Sequence, residues 1–105
     1  MKIKIYQITH DRRLLKFMRL DFVKRHGGVD PSEYELVFAG EVDARDLEDV
    51  YVIFNDYAKM PAGYRGHSLS VSDVVVTEDG AYFCDSWGFV ELPGFVEEAA
   101  YEKGH

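Results

Sequence analysis

A chain of 105 residues and 12.1 kDa is the size of one ordinary domain, able to bury roughly 60–70% of the surface its unfolded form exposes. With 47% hydrophobic and 30% charged residues, it has the make-up of an ordered globular protein, which excludes a disordered tail. The net charge of −7 conceals two blocks: residues 1–26 hold eight Lys or Arg against Asp11 and Asp21, and the rest holds four against 17 acids.

Ile3 to Ile8 alternates, with Ile3, Ile5 and Gln7 on one side and Lys4, Tyr6 and Ile8 on the other, the pattern of a strand. Over Asp11 to His26 two templates compete. A helix would gather Leu14, Leu15, Met18 and Phe22 on one side. A strand would alternate Arg13, Leu15, Phe17 and Arg19 with Leu14, Lys16, Met18 and Leu20. A short strand followed by a helix from about Leu20 to His26 is a third solution, ended by Gly27-Gly28.

Pro31 and Ser32 belong to a loop. Tyr34 to Ala39 is apolar on both alternating faces except at Glu35, which predicts an inner strand. Asp43 is placed to cap a helix on which Leu47, Val50, Tyr51 and Phe54 recur at amphipathic spacing, with Asp46, Glu48 and Asp49 near its positive end. That helix ends around Asn55-Asp56, and Tyr57 to His67 follows as a loop rich in Gly and Pro. Val74 to Glu78 and Ala81 to Asp85 flank Asp79-Gly80, a pair that tolerates the positive φ of a two-residue hairpin turn. With that turn, Val76 lies opposite Phe83 and Val75 opposite Cys84. Trp87, Phe89, Leu92 and Phe95 continue the apolar pattern, and Pro93 is placed to open a short last helix carrying Val96 and Ala100. This order of elements predicts an α+β fold over a single domain, residues 1–105: a small mixed sheet with a C-terminal antiparallel hairpin and two or three helices.

Residues that carry chemistry are few. One cysteine, Cys84, excludes an internal disulfide and a cysteine-rich zinc module, and fits a reducing cytoplasm. His10, His26, His67 and His105 are scattered without metal-ligand spacing, so neither a metal nor a cofactor is expected. Cys84, His67 and an acid such as Asp85 have the residue types of a nucleophile, its base and an orienter. Cys84 falls mid-strand, however, where cysteine acts as a small apolar side chain, and no enzyme is expected. Arg65-Gly66-His67-Ser68-Leu69-Ser70-Val71-Ser72-Asp73 is dense in hydrogen-bonding groups but lacks the spacing of a phosphate loop. It reads as a turn feeding the hairpin, with Ser72 and Asp73 satisfying backbone groups at its start. No apolar run approaches the ~20 residues of a membrane span and the opening residues lack a signal-peptide core, so a cytoplasmic protein away from membranes is expected.

Tyr34-Glu35-Leu36-Val37-Phe38-Ala39-Gly40-Glu41, Leu47-Glu48-Asp49-Val50-Tyr51 with Phe54-Asn55, the Arg65 to Val75 run, and Tyr82-Phe83-Cys84-Asp85-Ser86-Trp87-Gly88-Phe89 together resemble the YodL-like domain of Firmicutes. With Ile5-Tyr6-Gln7 the resemblance spans residues 3–95, and its most specific blocks are Gly66 to Asp73 and Cys84 to Phe89. Trp87 stands where the family has Phe or Ile. The resemblance implies a small accessory protein of bacterial conjugative elements and phages, standing alone or beside larger DNA-processing polypeptides. It implies no reaction, ligand or catalytic residue, and it favours a strand over Arg13 to Met18.

The function expected is therefore a non-enzymatic protein-interaction or accessory module of a mobile genetic element. Its recognition surface would include the loop Tyr57 to Ser70 and the run Trp87 to Phe95, with Tyr64, Arg65, His67, Ser68, Ser70, Asp85 and Trp87 as contacts to a protein partner. The alternative is an acidic antirestriction protein that mimics DNA. Nucleic-acid binding through Arg12, Arg13, Lys16, Arg19, Lys24 and Arg25 is opposed by the acidic remainder.

Overall fold

The computed structural model describes residues 1–8 and 16–95. Its elements run β1 (Lys2–Ile8), α1 (Leu20–Arg25), a 3₁₀ turn (Pro31–Glu33), β2 (Tyr34–Glu41), α2 (Leu47–Ile53), β3 (Val74–Thr77), β4 (Gly80–Asp85) and β5 (Gly88–Glu91). The five strands form one sheet in the order β2-β1-β3-β4-β5, and each neighbouring pair is antiparallel. The α+β expectation holds, but the sheet is not mixed. β2 and β3 run the same way on either side of β1, so the α2 crossover joins like-directed strands that are not neighbours.

Alternation along β1 is the key to the architecture, because it feeds a different core on each face. Ile3 and Ile5, with Val75 of β3, pack against Val50, Phe54 and Leu69 beneath α2. Tyr6 and Ile8, with Val74 and Phe83, pack against Leu20, Val23 and Phe95 on the α1 side. A helix therefore covers each face, and the middle of the sheet is buried on both.

Several local expectations are corrected. Tyr34 to Ala39 forms an edge strand, because an apolar run on both faces reports that both faces are covered and says nothing of whether both edges are paired. One extra residue separates the Ile5–Phe38 and Tyr6–Leu36 pairs, a bulge at Val37 that lets Phe38 follow Ile5 into the α2 core. The α2 cap is Asp46, whose carboxylate accepts from the Asp49 amide at 2.9 Å, not Asp43. Tyr51 lies outside the buried stripe formed by Leu47, Val50 and Phe54 and is 44% exposed.

In the β3–β4 hairpin, Thr77 faces Gly80, so the loop residues are Glu78 and Asp79 and Gly80 begins β4 at φ +147°. The Asp79 amide donates to Thr77 Oγ1 at 3.0 Å. Val76 consequently faces Ala81 and Val75 faces Tyr82. This register brings Cys84 level with Ser72 and Asp73. Lys16 and Phe17 form a turn, with Phe17 at φ +69°, so the strand expected over Arg13 to Met18 does not include its last residues. The first part of that stretch, and Val96 and Ala100 of the last helix, lie outside the described residues.

Candidate functional site

Two places draw together the residues singled out from sequence, and they are built in opposite ways. The first is a polar centre under the α2 side of the sheet. The Ser72 amide donates to the Cys84 carbonyl at 2.9 Å, and the Cys84 amide donates to the Asp73 carbonyl at 2.8 Å. Two residues thus oppose one, a β-bulge with Ser72 at φ +85°, the left-handed position glycine usually takes. Three contacts hold Ser72 there. Its Oγ accepts from the Phe17 amide at 2.9 Å, its carbonyl accepts from Tyr34 Oη at 2.6 Å, and its amide is bonded as above.

The bulge aims Asp73, fully buried, at Gln7 of β1. Gln7 Nε2 lies 3.0 Å from each of Tyr64 Oη, the His67 carbonyl and Asp73 Oδ2, while its Oε1 accepts from the His67 amide at 3.2 Å. Asp73 Oδ2 also accepts from the Ser70 amide at 2.8 Å, and Tyr64 Oη donates to the His67 carbonyl. Gly66 lets the loop approach this closely. A Cβ there would collide with the Gln7 carboxamide and stand 2.9 Å from Tyr64 Oη. Leu69 and Asn55 tie the same loop to α2: the Leu69 amide donates to the Phe54 carbonyl at 3.1 Å, and Asn55 Nδ2 donates to the Leu69 carbonyl at 3.0 Å.

One pair of atoms in this centre has no hydrogen bond. His67 Nε2 and Asp73 Oδ1 face each other at 3.9 Å. Burial is the main influence on both groups, raising the Asp73 carboxyl to about 8 against the pull of Ser70 and Gln7, and lowering His67. His67 Nδ1 approaches the Ser68 carbonyl to 2.7 Å, which places the ring proton on Nδ1 and leaves Nε2 an acceptor. Burial thus favours the neutral form of both groups, and with Oδ2 accepting from Ser70 and Gln7 a proton on Asp73 would sit on Oδ1, complementary to Nε2 but beyond hydrogen-bond length.

Cys84 is 3% exposed, and burial, then the neighbouring Asp73 and Asp85, push its thiol up to about 12. His67 makes no hydrogen bond to it among the described residues. The ring instead meets Phe17 at 5.2 Å. Among those residues no three His, Cys, Asp or Glu side chains gather as metal ligands.

The second place is a groove of about 360 Å³ between α2 and the β4–β5 turn, lined by Glu48, Tyr51, Val52, Val71, Asp85 and Phe89, with Cys84 at its floor. Asp85 and Gly88 close the turn, so Ser86 and Trp87 form its tip. Trp87 is 93% exposed there, and Val52 is 51% exposed across the groove. Asp85 is partly committed, since its Oδ1 accepts from the Leu20 amide at 3.1 Å and so fixes the start of α1.

The seven candidate contacts accordingly divide. Tyr64, His67, Ser68 and Ser70 are half-buried; Tyr64, His67 and Ser70 bond the loop to Gln7 and Asp73, the Ser68 carbonyl accepts from His67 and Ser70 within the loop, and Tyr64 also packs on Phe54 at 5.0 Å between ring centroids. Arg65 is exposed. Asp85 lines the groove, and Trp87 stands beside it at the tip of the β4–β5 turn. The sequence pointed to Trp87 but not to Glu48 and Val52, which lie away from the buried stripe of α2, and it placed Tyr51 within that stripe. Gln7 was placed correctly on the side of Ile3 and Ile5, yet nothing in the alternation disclosed its partners.

An antiparallel sheet with a helix on each face, pinned by a buried polar loop between α2 and β3, is the structural class these observations define. The family model of the YodL-like domain matches residues 2–95, and the chain belongs to that family. No curated protein and no solved structure matches it. No helix among the described residues is long and apolar enough to cross a membrane.

Proposed function

We propose that this chain is a non-enzymatic protein-interaction module and that the groove between α2 and the β4–β5 turn is its recognition surface. The observation that carries this reading is Trp87, a large aromatic side chain standing 93% exposed at the tip of a tight hairpin, beside a concave apolar surface. A side chain of that size gains nothing by exposure in the free protein, and Trp and Tyr at a groove are the usual anchors of protein interfaces. The buried, hard-to-ionise Cys84 thiol supports a packing role over a nucleophilic one. In keeping with its family resemblance, the module would act as an accessory protein of a bacterial mobile element in the cytoplasm. The DNA-mimic alternative draws on the same acidic surface, but a phosphate mimic has no use for Trp87, Tyr51 and Val52.

The test is co-expression of the tagged chain with its bacterial and element-encoded neighbours, followed by isolation of a stoichiometric complex. Val52→Glu and Trp87→Ala should each abolish that complex while keeping the wild-type melting temperature. A complex that survives both substitutions would overturn the assignment of the surface. Salt-sensitive inhibition of a restriction enzyme, unaffected by either substitution, would favour the mimic instead.

A further inference from the structure

We infer that the segment recognised by this groove is a cationic peptide of a partner protein, one that seats an apolar side chain between Tyr51, Val52 and Phe89 and places Arg or Lys on the rim. The inference rests on the proposed interaction surface and adds the chemistry of its occupant. The groove floor is apolar, which calls for an aliphatic or aromatic anchor. Its charged lining residues are Glu48 and Asp85, both acidic.

The charge continues beyond the lining. Asp43 to Asp56 carries five carboxylates and a single cation, Arg45, and Arg45 is already bound to Asp49 at 3.2 Å. Glu48 has no ion pair among the described residues. A neutral or acidic occupant would leave this field uncompensated, and a cationic one neutralises it. The exposed rings of Tyr51 and Trp87 add a second attraction, since guanidinium and ammonium groups bind aromatic faces. Acid on the rim, aromatics beside it and an apolar floor together match an Arg- or Lys-flanked hydrophobic segment.

Trp87 is the sole tryptophan, so its fluorescence reports on the β4–β5 turn that borders the groove. The experiment titrates the full chain with three synthetic peptides that share a Leu-Phe centre and differ in flanks of Arg, Ser or Glu. The Arg-flanked peptide should shift the emission to the blue and saturate. Its affinity should fall roughly tenfold or more between about 0.05 and 0.5 M salt, as screening predicts. Glu48→Lys should weaken it about tenfold at low salt, and Glu35→Lys on the opposite edge strand should leave it unchanged, both variants melting as wild type.

Equal binding of all three peptides, or a preference for the Glu-flanked one, would overturn the cationic assignment while leaving the groove as the recognition surface. Failure of every peptide, beside a partner complex still lost on Val52→Glu, would overturn the peptide class alone. Failure of every peptide together with a complex insensitive to Val52→Glu would remove both readings. Self-association abolished by Val52→Glu would make a second copy of the chain the occupant and overturn the proposal.

Discussion

The polar centre and the groove lie on the same side of the sheet and treat their residues in opposite ways. Under β1 and β3, side chains that prefer water are buried and given partners: Gln7 and Asp73 are shut away, and the loop from Tyr64 to Ser70 is folded around them. Beside α2, side chains that prefer the interior are exposed and given none: Trp87, Tyr51 and Val52 face solvent. A buried polar cluster, bonded throughout except at His67 Nε2 and Asp73 Oδ1, specifies one arrangement of the chain. An uncovered apolar groove leaves binding energy unspent until something covers it. The motif richest in hydrogen-bonding residues thus serves the fold, and the surface suited to recognition is the plainer one.

The largest expected effect lies where α2 meets the polar loop. Phe54 is fully buried between Phe38 and Tyr64, with ring centroids 5.2 and 5.0 Å away. Phe54→Ala should lower the free energy of unfolding by about 3–5 kcal/mol in urea melts. A loss below ~1 kcal/mol would mean that the loop does not pack on α2.

Next comes Gly66→Ala, which forces a methyl group against the Gln7 carboxamide and should cost roughly 1–3 kcal/mol. Gln7→Ala together with Gly66→Ala should cost less than the two separate losses combined, because the first removes the obstacle to the second. Strict additivity would show that the close approach carries no energy.

A pH effect sharpens the comparison further. The Asp73 carboxyl rises from 3.8 in the unfolded chain to about 8 in the native one, so its stabilising share is full below about pH 4 and is lost as pH rises toward 8. His67, lowered from 6.5 by burial, works oppositely: its share is lost as pH falls below that value. Asp73→Asn keeps an acceptor for Ser70 and Gln7 and turns an amide N–H toward His67. Between about pH 5 and pH 8 the variant should lose less stability than wild type. Equal slopes would place a charged Asp73 in the native protein at neutral pH.

The smallest effects on stability belong to the groove. Trp87→Ala and Val52→Glu should change unfolding free energy by no more than about 0.5 kcal/mol, as surface substitutions do. A loss of several kcal/mol on either would return those residues to the fold and remove the contrast.

Much of the scaffold was legible in the sequence, because it depends on local periodicity. The alternation of Ile3, Ile5 and Gln7 against Tyr6 and Ile8, the helix carrying Val50 and Phe54, and the hairpin after Val74 are all patterns within a few residues. The hairpin register escaped, since Asp79-Gly80 suits a turn equally well when Gly80 opens the strand, and only the pairing of Thr77 with Gly80 decides it. Edge and centre escaped for β2, because coverage of its faces says nothing of its neighbours. The site was the least legible part. Gln7 and Asp73 are 66 residues apart in sequence, and a polar loop bonded inward has the same composition as one bonded to a partner.

Amide hydrogen exchange on the isolated partner complex separates the two regions in one measurement. The account predicts added protection at Tyr51 to Asn55 and Asp85 to Val90 on partner binding. The amides of His67, Ser70 and Cys84, already bonded in the free protein, should stay slow and unchanged. New protection concentrated at Gly63 to Ser70, with none at α2 or the β4–β5 turn, would contradict the account and return recognition to the loop.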